Sequence, residues 1–367
     1  MDQPPASRPW SGRAAALLLA AVTVAVATPA STTQAAAPGP RTAPTPESRT
    51  ASAWLPYWDT EIGYLDALSH AAQLHTVSPF WYRTDSATKI KSYKGAGSRR
   101  IIDGLHAAGI KVVPTVVESL QAPAMAALLN DPVQRTAHVN ALLKVAASQP
   151  YDGIELNYEK MGFTTDTQLQ TRVRGGFNAL VGELCSRLHA RGKTCVVTVM
   201  PRVNGDGGAY NYRHLGKIVD RMRIMAYNMH WATSGPGPLS SHDWYEGILR
   251  YATARVPRSK VELAFPGYGW NWTKGSSAKG ANPRAARVTW KEAENLRQSK
   301  GLPYRLHASG NPYFTYKEGE TEHEVWYQDA DGVMAQLPVL KKYGVNNTSL
   351  WALGQEDPEF WDAIRRQ

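Results

Sequence analysis

The segment YDGIELNYE, residues 151–159, places several side chains capable of proton transfer in a stretch that otherwise has the composition of a buried strand. Because side chains alternate between the two faces of a strand, Glu155, Asn157 and Glu159 are expected to share one face. Carboxyl groups crowded in a low-dielectric interior favour protonation, so the pKa of at least one of them is raised. The pattern therefore predicts a carboxylic acid that stays protonated near neutral pH, as proton donation requires.

The same residues also allow a purely structural interpretation. In it, Glu155 forms a buried hydrogen-bonded pair and Glu159 caps the loop that follows. In both interpretations Asp152 lies at the entrance of the polar column.

Short apolar runs alternate with helical patterns from residue 51 onward, which predicts an α/β fold. Eight strands are expected, at residues 51–59, 74–82, 111–119, 151–159, 194–202, 221–229, 260–268 and 347–354. Their number and spacing favour a (β/α)8 TIM barrel over residues 51–367, with a small β-rich inserted subdomain at about 271–328, between strands seven and eight. A doubly wound sheet is the alternative, but no glycine-rich phosphate turn follows the first strand.

A barrel of this kind carries its chemistry where the strands end, at the face formed by the βα loops. Polar and aromatic residues recur at the predicted ends: Tyr57, Trp58 and Asp59; Trp81 and Tyr82; Glu118; Asn157 and Glu159; Met200 and Arg202; Tyr227 and Asn228; Tyr268 and Trp270; Trp351. Tyrosine and tryptophan rings provide flat surfaces for the apolar faces of sugars, so the pattern indicates a carbohydrate site.

Three motifs, in the expected order, resemble those of glycoside hydrolase family 18. YDGIELNYE resembles the family's DGxDxDxE strand, and IMAYNMHW (224–231) resembles its Met-x-Tyr-Asp strand. SLWALGQEDPEFWDAI (349–364) resembles its strand-eight tryptophan segment, with a tail similar to that of bacterial spore-cortex-lysing and cell-wall-associated members. NPYFTYKEGETEHEVWYQDADGV (311–333) is also similar to the preceding region of that subgroup.

The resemblance implies a substrate-assisted retaining mechanism. Glu159 would protonate the glycosidic oxygen, Asn157 would orient the acetamido N–H of the substrate, and Tyr227 would donate to the acetamido oxygen. Trp351 would form the floor under the sugar ring. The remaining implied site residues are Tyr57, Trp81, Met225 and Asn228, which would bind substrate, and Asp152 and Glu155, which would support the site.

The chain departs from the family pattern at several of these positions. Asn157, Glu155 and Asn228 stand where the family usually has aspartate, and VVES (116–119) replaces a Ser-x-Gly-Gly signature. An amide oxygen at Asn157 still accepts a hydrogen bond but does not balance positive charge, a loss of roughly a hundred- to a thousandfold in rate. We therefore expect either a slow or unusual glycosidase or an inactive carbohydrate-binding protein on the same barrel. A barrel that binds no carbohydrate is a third alternative.

The N-terminal region has the organisation of an export signal. Arg8 and Arg13 precede the apolar run 14–27, which is of signal-peptide length. Residues 1–37 are thus predicted to be a signal peptide and residues 38–50 a Pro/Thr/Ser-rich linker, so that the mature protein is secreted or associated with the cell wall. An uncleaved membrane anchor is the alternative.

Cysteine content and charge are consistent with an extracellular location. Cys185 and Cys195 lie at the end of a predicted helix and the start of the next strand, where either a disulfide or two buried thiols would fit. The formal charge of +10 favours polyanionic surfaces such as a cell wall. The basic residues are scattered and form no nucleic-acid motif. We expect an N-acetylated polysaccharide as partner, a monomer, no stable membrane insertion, and neither metal nor cofactor.

Overall fold

The computed structural model describes residues 51–205, 207–274 and 285–365. The strands are β1 (Ala51–Pro56), β2 (Leu74–Thr84), β3 (Ile90–Ser92), β4 (Lys111–Val112), β5 (Thr115–Glu118), β6 (Gly153–Asn157), β7 (Thr194–Val199), β8 (Arg221–Ile224), β9 (Val261–Pro266), β10 (Tyr268–Lys274), β11 (Ala286–Thr289), β12 (Tyr313–Glu318), β13 (Thr321–Trp326) and β14 (Asn347–Trp351). The α-helices are α1 (Thr60–Ser69), α2 (Arg99–Ala107), α3 (Ala122–Asn130), α4 (Pro132–Ser148), α5 (Thr167–His189), α6 (Tyr212–Ile218), α7 (His242–Thr253), α8 (Trp290–Ser299), α9 (Ala330–Lys342) and α10 (Phe360–Ile364). The predicted signal peptide and linker lie outside the described residues.

Eight parallel strands close into a barrel in the order β1, β2, β5, β6, β7, β8, β9 and β14, and β14 pairs back onto β1. This confirms the predicted (β/α)8 TIM barrel. Among the described residues, none of the helices is both long and apolar enough to cross a membrane.

Seven of the eight predicted strands extend too far at their C-terminal ends, and only the second ends too early. β6 ends at Asn157 and β8 at Ile224, so Glu159 and Tyr227 lie in the loops beyond the barrel. Glu159 has helical backbone angles, φ −97° and ψ −42°, and leads into a short 3₁₀ turn at Lys160–Gly162. The direction of the Glu159 side chain is therefore set by the conformation of the βα loop and not by strand alternation.

A polar network fills the centre of the barrel where apolar residues are usual. Fully buried Arg223 donates to Glu155 at 3.0 Å and to Glu262 at 2.8 Å. The two glutamates accept further hydrogen bonds from Ser52, Trp54, Thr115, Thr198 and Ser349, and Arg223 also donates to Ser78. These residues come from all eight barrel strands, so one connected network links the whole barrel.

The outward face of β6 packs against the helices. Ile154, Leu156 and Tyr158 belong to the large apolar core, and the Tyr158 hydroxyl pairs with His138 of α4 at 2.6 Å. A disulfide joins Cys185 at the end of α5 to Cys195 at the start of β7, with a Cα–Cα distance of 5.2 Å. Of the two alternatives for these cysteines, the structure contains the disulfide.

The inserted subdomain is an antiparallel sheet in the order β11-β10-β13-β12, accompanied by α8. Its strands run from Tyr268 to Trp326, and Gly267 alone separates β10 from barrel strand β9. Gly269 is required in β10 because a Cβ there would lie 2.3 Å from the carbonyl oxygen of Trp326. The short connection fixes this sheet beside the barrel's C-terminal end.

We expect Arg223→Met to lower the free energy of unfolding by about 3–5 kcal/mol, because it leaves Glu155 buried without a cation and Glu262 with only Arg221, 3.4 Å away. Chemical denaturation followed by circular dichroism measures the change. The control is Arg99→Met, which removes an exposed ion pair with Asp103 and is expected to change stability by about 0.5 kcal/mol or less. If both substitutions changed the free energy of unfolding by the same small amount, the network would not contribute to the stability of the barrel as expected.

Candidate active site

Glu159 and Asn157 form the centre of the candidate site, at the C-terminal end of β6. The Glu159 side chain is half-buried, and its Oε1 accepts a hydrogen bond from Asn157 Nδ2 at 2.9 Å. Asn157 is 3% exposed, and its Oδ1 has no hydrogen-bond partner among the described residues. The amide thus directs its donor at the carboxyl group and leaves a buried acceptor free, which is unfavourable unless a ligand supplies a donor.

A second buried carboxyl group, Glu118 at the end of β5, holds the loop that carries Glu159. Its two oxygens accept hydrogen bonds from the backbone N–H groups of Glu159 and Met161, at 3.0 and 2.9 Å. In the sequence Glu118 was one of many polar strand-end residues, and its role was missed. The available signal was an acidic residue in VVES, where the related family has a small-residue signature.

Burial dominates the electrostatics of both carboxyl groups. It raises the pKa of Glu159, while the hydrogen bond from Asn157 opposes the rise by stabilising the carboxylate. Burial also raises the pKa of Glu118 to about 8, with the backbone donors opposing and the charge of Glu159 adding to the rise. Burial therefore shifts the pKa of both carboxyl groups upward.

Tyr227 and Asn228 follow β8 in the neighbouring loop. Burial and the nearby Tyr268 and Glu159 raise the pKa of Tyr227 well above its ordinary value, so its phenol remains a hydrogen-bond donor. Asn228 adopts the left-handed conformation, φ 61°, which asparagine tolerates better than most residues. Its Oδ1 accepts from the Tyr268 hydroxyl at 2.7 Å and from Trp270 Nε1 at 3.0 Å. Asn228 thus positions two aromatic residues and does not offer this oxygen to substrate.

Trp351 lies within a cluster of aromatic rings. It is 3% exposed and packs edge-to-face against Phe80, Trp54 and Trp58, with ring centres 5.2, 5.7 and 6.2 Å away. The peptide bond between Trp351 and Ala352 is cis. Rings of the inserted sheet, Tyr268 and Trp326 among them, belong to the same cluster. Barrel and insertion therefore share one aromatic cluster.

The three other residues predicted to bind substrate, Tyr57, Met225 and Trp81, differ in how deeply they are buried. Tyr57 is partly buried and stacks on Tyr93, with ring centres 4.1 Å apart. Met225 is almost fully buried. Trp81, predicted to bind substrate, is completely buried in the core beside Tyr151, and that prediction is wrong. Ser78 contacts Arg223 in the barrel centre and Phe80 packs against Trp351, so the regular alternation along β2 turns Trp81 to the opposite face, toward the helices.

Asp152 and Glu155 do not contact Glu159. Asp152 precedes β6 and therefore lies at the opposite end of the strand, where it pairs with His106 at 2.9 Å and accepts from the Val112 N–H at 2.7 Å. Glu155 belongs to the central network. Both have structural roles, so part of the polar column in YDGIELNYE supports the barrel and does not form the site.

A sequence profile described as "Glycosyl hydrolases family 18" matches residues 70–356. The chain belongs to glycosyl hydrolases family 18. It is thus a glycoside hydrolase with a chitinase-like barrel, as the motifs predicted.

Curated relatives of this family 18 chain include a bacterial glycosylase and a bacterial lytic enzyme. "Uncharacterized glycosylase YvbX" of Bacillus subtilis is 24% identical over 246 residues, which cover 65% of this chain and 68% of that protein. "Cortical fragment-lytic enzyme" of Bacillus anthracis is 24% identical over 241 residues, which cover 64% of this chain and 54% of that enzyme. This chain therefore spans about half the length of that enzyme.

Solved structures share the fold. A chitinase from Chromobacterium violaceum superposes with a TM-score of 0.75 at 24% identity, covering 87% of this chain and 98% of that one. The Bacillus cereus spore cortex-lytic enzyme SleL superposes with a TM-score of 0.74 at 21% identity, covering 86% of this chain and 73% of that one. Across the described part of this family 18 chain, no cluster of histidine, cysteine and acidic side chains is arranged to hold a metal ion.

We expect Glu118 to titrate near pH 8 in the folded protein, and Glu159→Gln to lower that pKa because it removes a neighbouring negative charge. NMR of the glutamate carboxyl carbons, with the signal assigned through Glu118→Gln, measures both values. Glu183→Gln, on α5 in the outer helix layer, serves as the control and should leave the pKa of Glu118 unchanged. A Glu118 titration near the ordinary value of 4.5 would contradict the expectation.

Proposed function

We propose that this chain is an exported retaining glycosidase that cleaves β-linked N-acetylglucosamine glycans of the cell-wall type, with Glu159 as general acid. The observation that carries the proposal is the pairing of Asn157 with Glu159. One buried amide donates to a carboxyl group whose pKa is raised, and its free oxygen is a ready acceptor for a substrate N–H.

In the proposed reaction, Glu159 donates its proton to the glycosidic oxygen as the bond to the anomeric carbon breaks. The substrate's own acetamido oxygen attacks that carbon from the other face and forms a cyclic oxazolinium ion. Asn157 Oδ1 accepts the acetamido N–H and Tyr227 donates to the acetamido oxygen, so the group is held for attack. Water then opens the ring with Glu159 as general base, which retains the anomeric configuration.

The amide at Asn157 distinguishes this site from the usual aspartate pattern. It supplies the acceptor that orients the acetamido group, but its neutral oxygen does not balance the positive charge that develops on the oxazolinium. Its N–H also stabilises the Glu159 carboxylate and so makes that acid easier to ionise. We infer that the enzyme is slow relative to aspartate-containing members, while the intact Glu159 disfavours a purely binding role.

Export and cell-wall association are supported by three independent features. The N-terminal segment has the pattern of a signal peptide, and the disulfide between Cys185 and Cys195 is typical of oxidising compartments. Without Asp2, Arg8 and Arg13 of the predicted signal peptide the formal charge is still +9, which favours adsorption to an anionic wall. Relatives named as cortical fragment-lytic enzymes favour peptidoglycan over chitin as the first substrate to test.

Glu159→Gln is expected to lower the rate of cleavage of N-acetylglucosamine oligomers by roughly a hundred- to ten-thousandfold, because the amide cannot donate the proton. Binding of the same oligomers, measured by calorimetry, should persist. Glu183→Gln, on the outer surface of α5, should retain both cleavage and binding of the oligomers. A wild type that binds but never cleaves, indistinguishable from Glu159→Gln, would show that the chain is a carbohydrate-binding protein.

Asn157→Asp is expected to raise kcat by roughly tenfold or more, because a carboxylate can balance the oxazolinium charge. It also replaces a donor beside Glu159 with a like charge, so the pKa of Glu159 rises and the loss of activity at high pH shifts upward. The pH dependence of kcat measures both effects. Asn140→Asp, an exposed position on α4, is the matched control. A lower kcat with no pH shift would contradict the substrate-assisted assignment of Asn157.

A further inference from the structure

An exposed cation lies at the border between the barrel mouth and the inserted sheet. Arg287 of β11 is paired in register with Trp270 of β10, and the central carbon of its guanidinium lies 4.1 Å above the ring centre of Tyr268. Tyr268 in turn packs edge-to-face against Tyr227, with ring centres 6.2 Å apart. Arg287 is therefore joined through a single aromatic ring to the tyrosine assigned to the acetamido group.

The guanidinium is oriented but mostly uncommitted. Gln355 accepts from Nη2, and this is its one hydrogen bond within the described part of the chain. The charges of Asp59 and Glu292 act on it through space, but no described carboxylate oxygen lies within ion-pair distance. Arginine has five N–H donors in a planar fork, so most of them remain free for a ligand.

The neighbours of Arg287 hold this arrangement in place. Tyr268 supports the flat face of the guanidinium, and the Tyr268 hydroxyl is itself fixed by Asn228. Tyr268 and Tyr227 belong to the same aromatic cluster as Trp351. A glycan lying on that cluster would pass beside the free edge of the guanidinium.

We propose that Arg287 is an anion-binding subsite of this cleft, specific for a carboxylate attached to the glycan. A planar guanidinium binds a carboxylate through two parallel hydrogen bonds, whereas a neutral hydroxyl uses one of them. The ligand class is an N-acetylated glycan in which a sugar next to the cleaved residue carries a lactyl ether or a similar acidic substituent. The inference rests on the proposed glycosidase function and adds the chemical class of the substrate.

The test compares two oligosaccharides that differ in one charge. Both alternate N-acetylglucosamine with N-acetylmuramic acid and carry no peptide; in one the lactyl carboxylate is free, and in the other it is converted to its methyl amide. Wild type is expected to prefer the acid by roughly tenfold in kcat/KM at low salt, and added salt should reduce the preference. In Arg287→Gln the ratio should fall to about one, and in Arg287→Lys to an intermediate value because the fork is lost.

Arg305→Gln is the matched control, since it removes an exposed arginine of the same subdomain. The acid-to-amide ratio should be unchanged in it, and circular dichroism verifies that each variant folds. A wild-type ratio near one, or a preference that persists in Arg287→Gln, would overturn the assignment of Arg287 while leaving the glycosidase intact.

Binding measurements distinguish the proposal that the chain is a glycosidase from the proposal that Arg287 binds a carboxylate. If wild type cleaves neither oligosaccharide, the glycosidase proposal fails, and calorimetry on Glu159→Gln with and without Arg287→Gln still tests the subsite. A roughly tenfold preference for the acid that depends on Arg287 supports it, and equal affinities for the two oligosaccharides overturn it.

Discussion

The fold depends on how the barrel accommodates a buried arginine. Arg223 lies at the centre between Glu155 and Glu262, and the three side chains, with their hydroxyl and indole partners, connect all eight strands. Buried charges are tolerated only when they are paired and hydrogen-bonded, so the network requires each strand to hold its register. Glu155 therefore has a structural role although it lies in the same motif as Glu159. The polar centre provides a rigid base from which the strand ends project.

Catalytic geometry is set just beyond that base, where regular pairing stops. β6 ends at Asn157, and Glu118 on the adjacent strand accepts from the backbone of Glu159 and Met161. Burial raises the pKa of Glu159, and the charge of Glu159 adds to the rise in the pKa of Glu118. Asn157 then orders the end of the Glu159 side chain and keeps an oxygen available. The position of the loop and the pKa of Glu159 thus depend on its neighbours Glu118 and Asn157.

The inserted sheet extends the site away from the reacting atoms. It contributes Tyr268 and Trp270, both held by Asn228, and it places Arg287 beside the same aromatic cluster. In the proposed reaction the barrel supplies the acid and the acetamido contacts, and the inserted sheet places aromatic rings and Arg287 beside them. A division of this kind allows substrate preference to change without disturbing the polar centre of the barrel.

Local sequence patterns were sufficient to predict the eight strands, the surrounding helices and the insertion, because hydrophobic periodicity is a property of consecutive residues. The motif residues Glu159, Asn157 and Tyr227 could be named because they follow predicted barrel strands. Interactions between distant segments were not readable in this way. Each of these interactions joins residues that are far apart in the sequence. Glu118 accepts hydrogen bonds from the loop of Glu159, Glu155 pairs with Arg223, and Arg287 packs on Tyr268. Trp81 was misassigned because its place near a strand end does not show on which face of the strand its ring lies, and that ring packs in the outer core. The sequence by itself determined the barrel and the residue proposed as its proton donor, Glu159. Tertiary structure decided which polar residues lie at the site and which lie in the barrel centre, since only closure of the sheet brings their partners together.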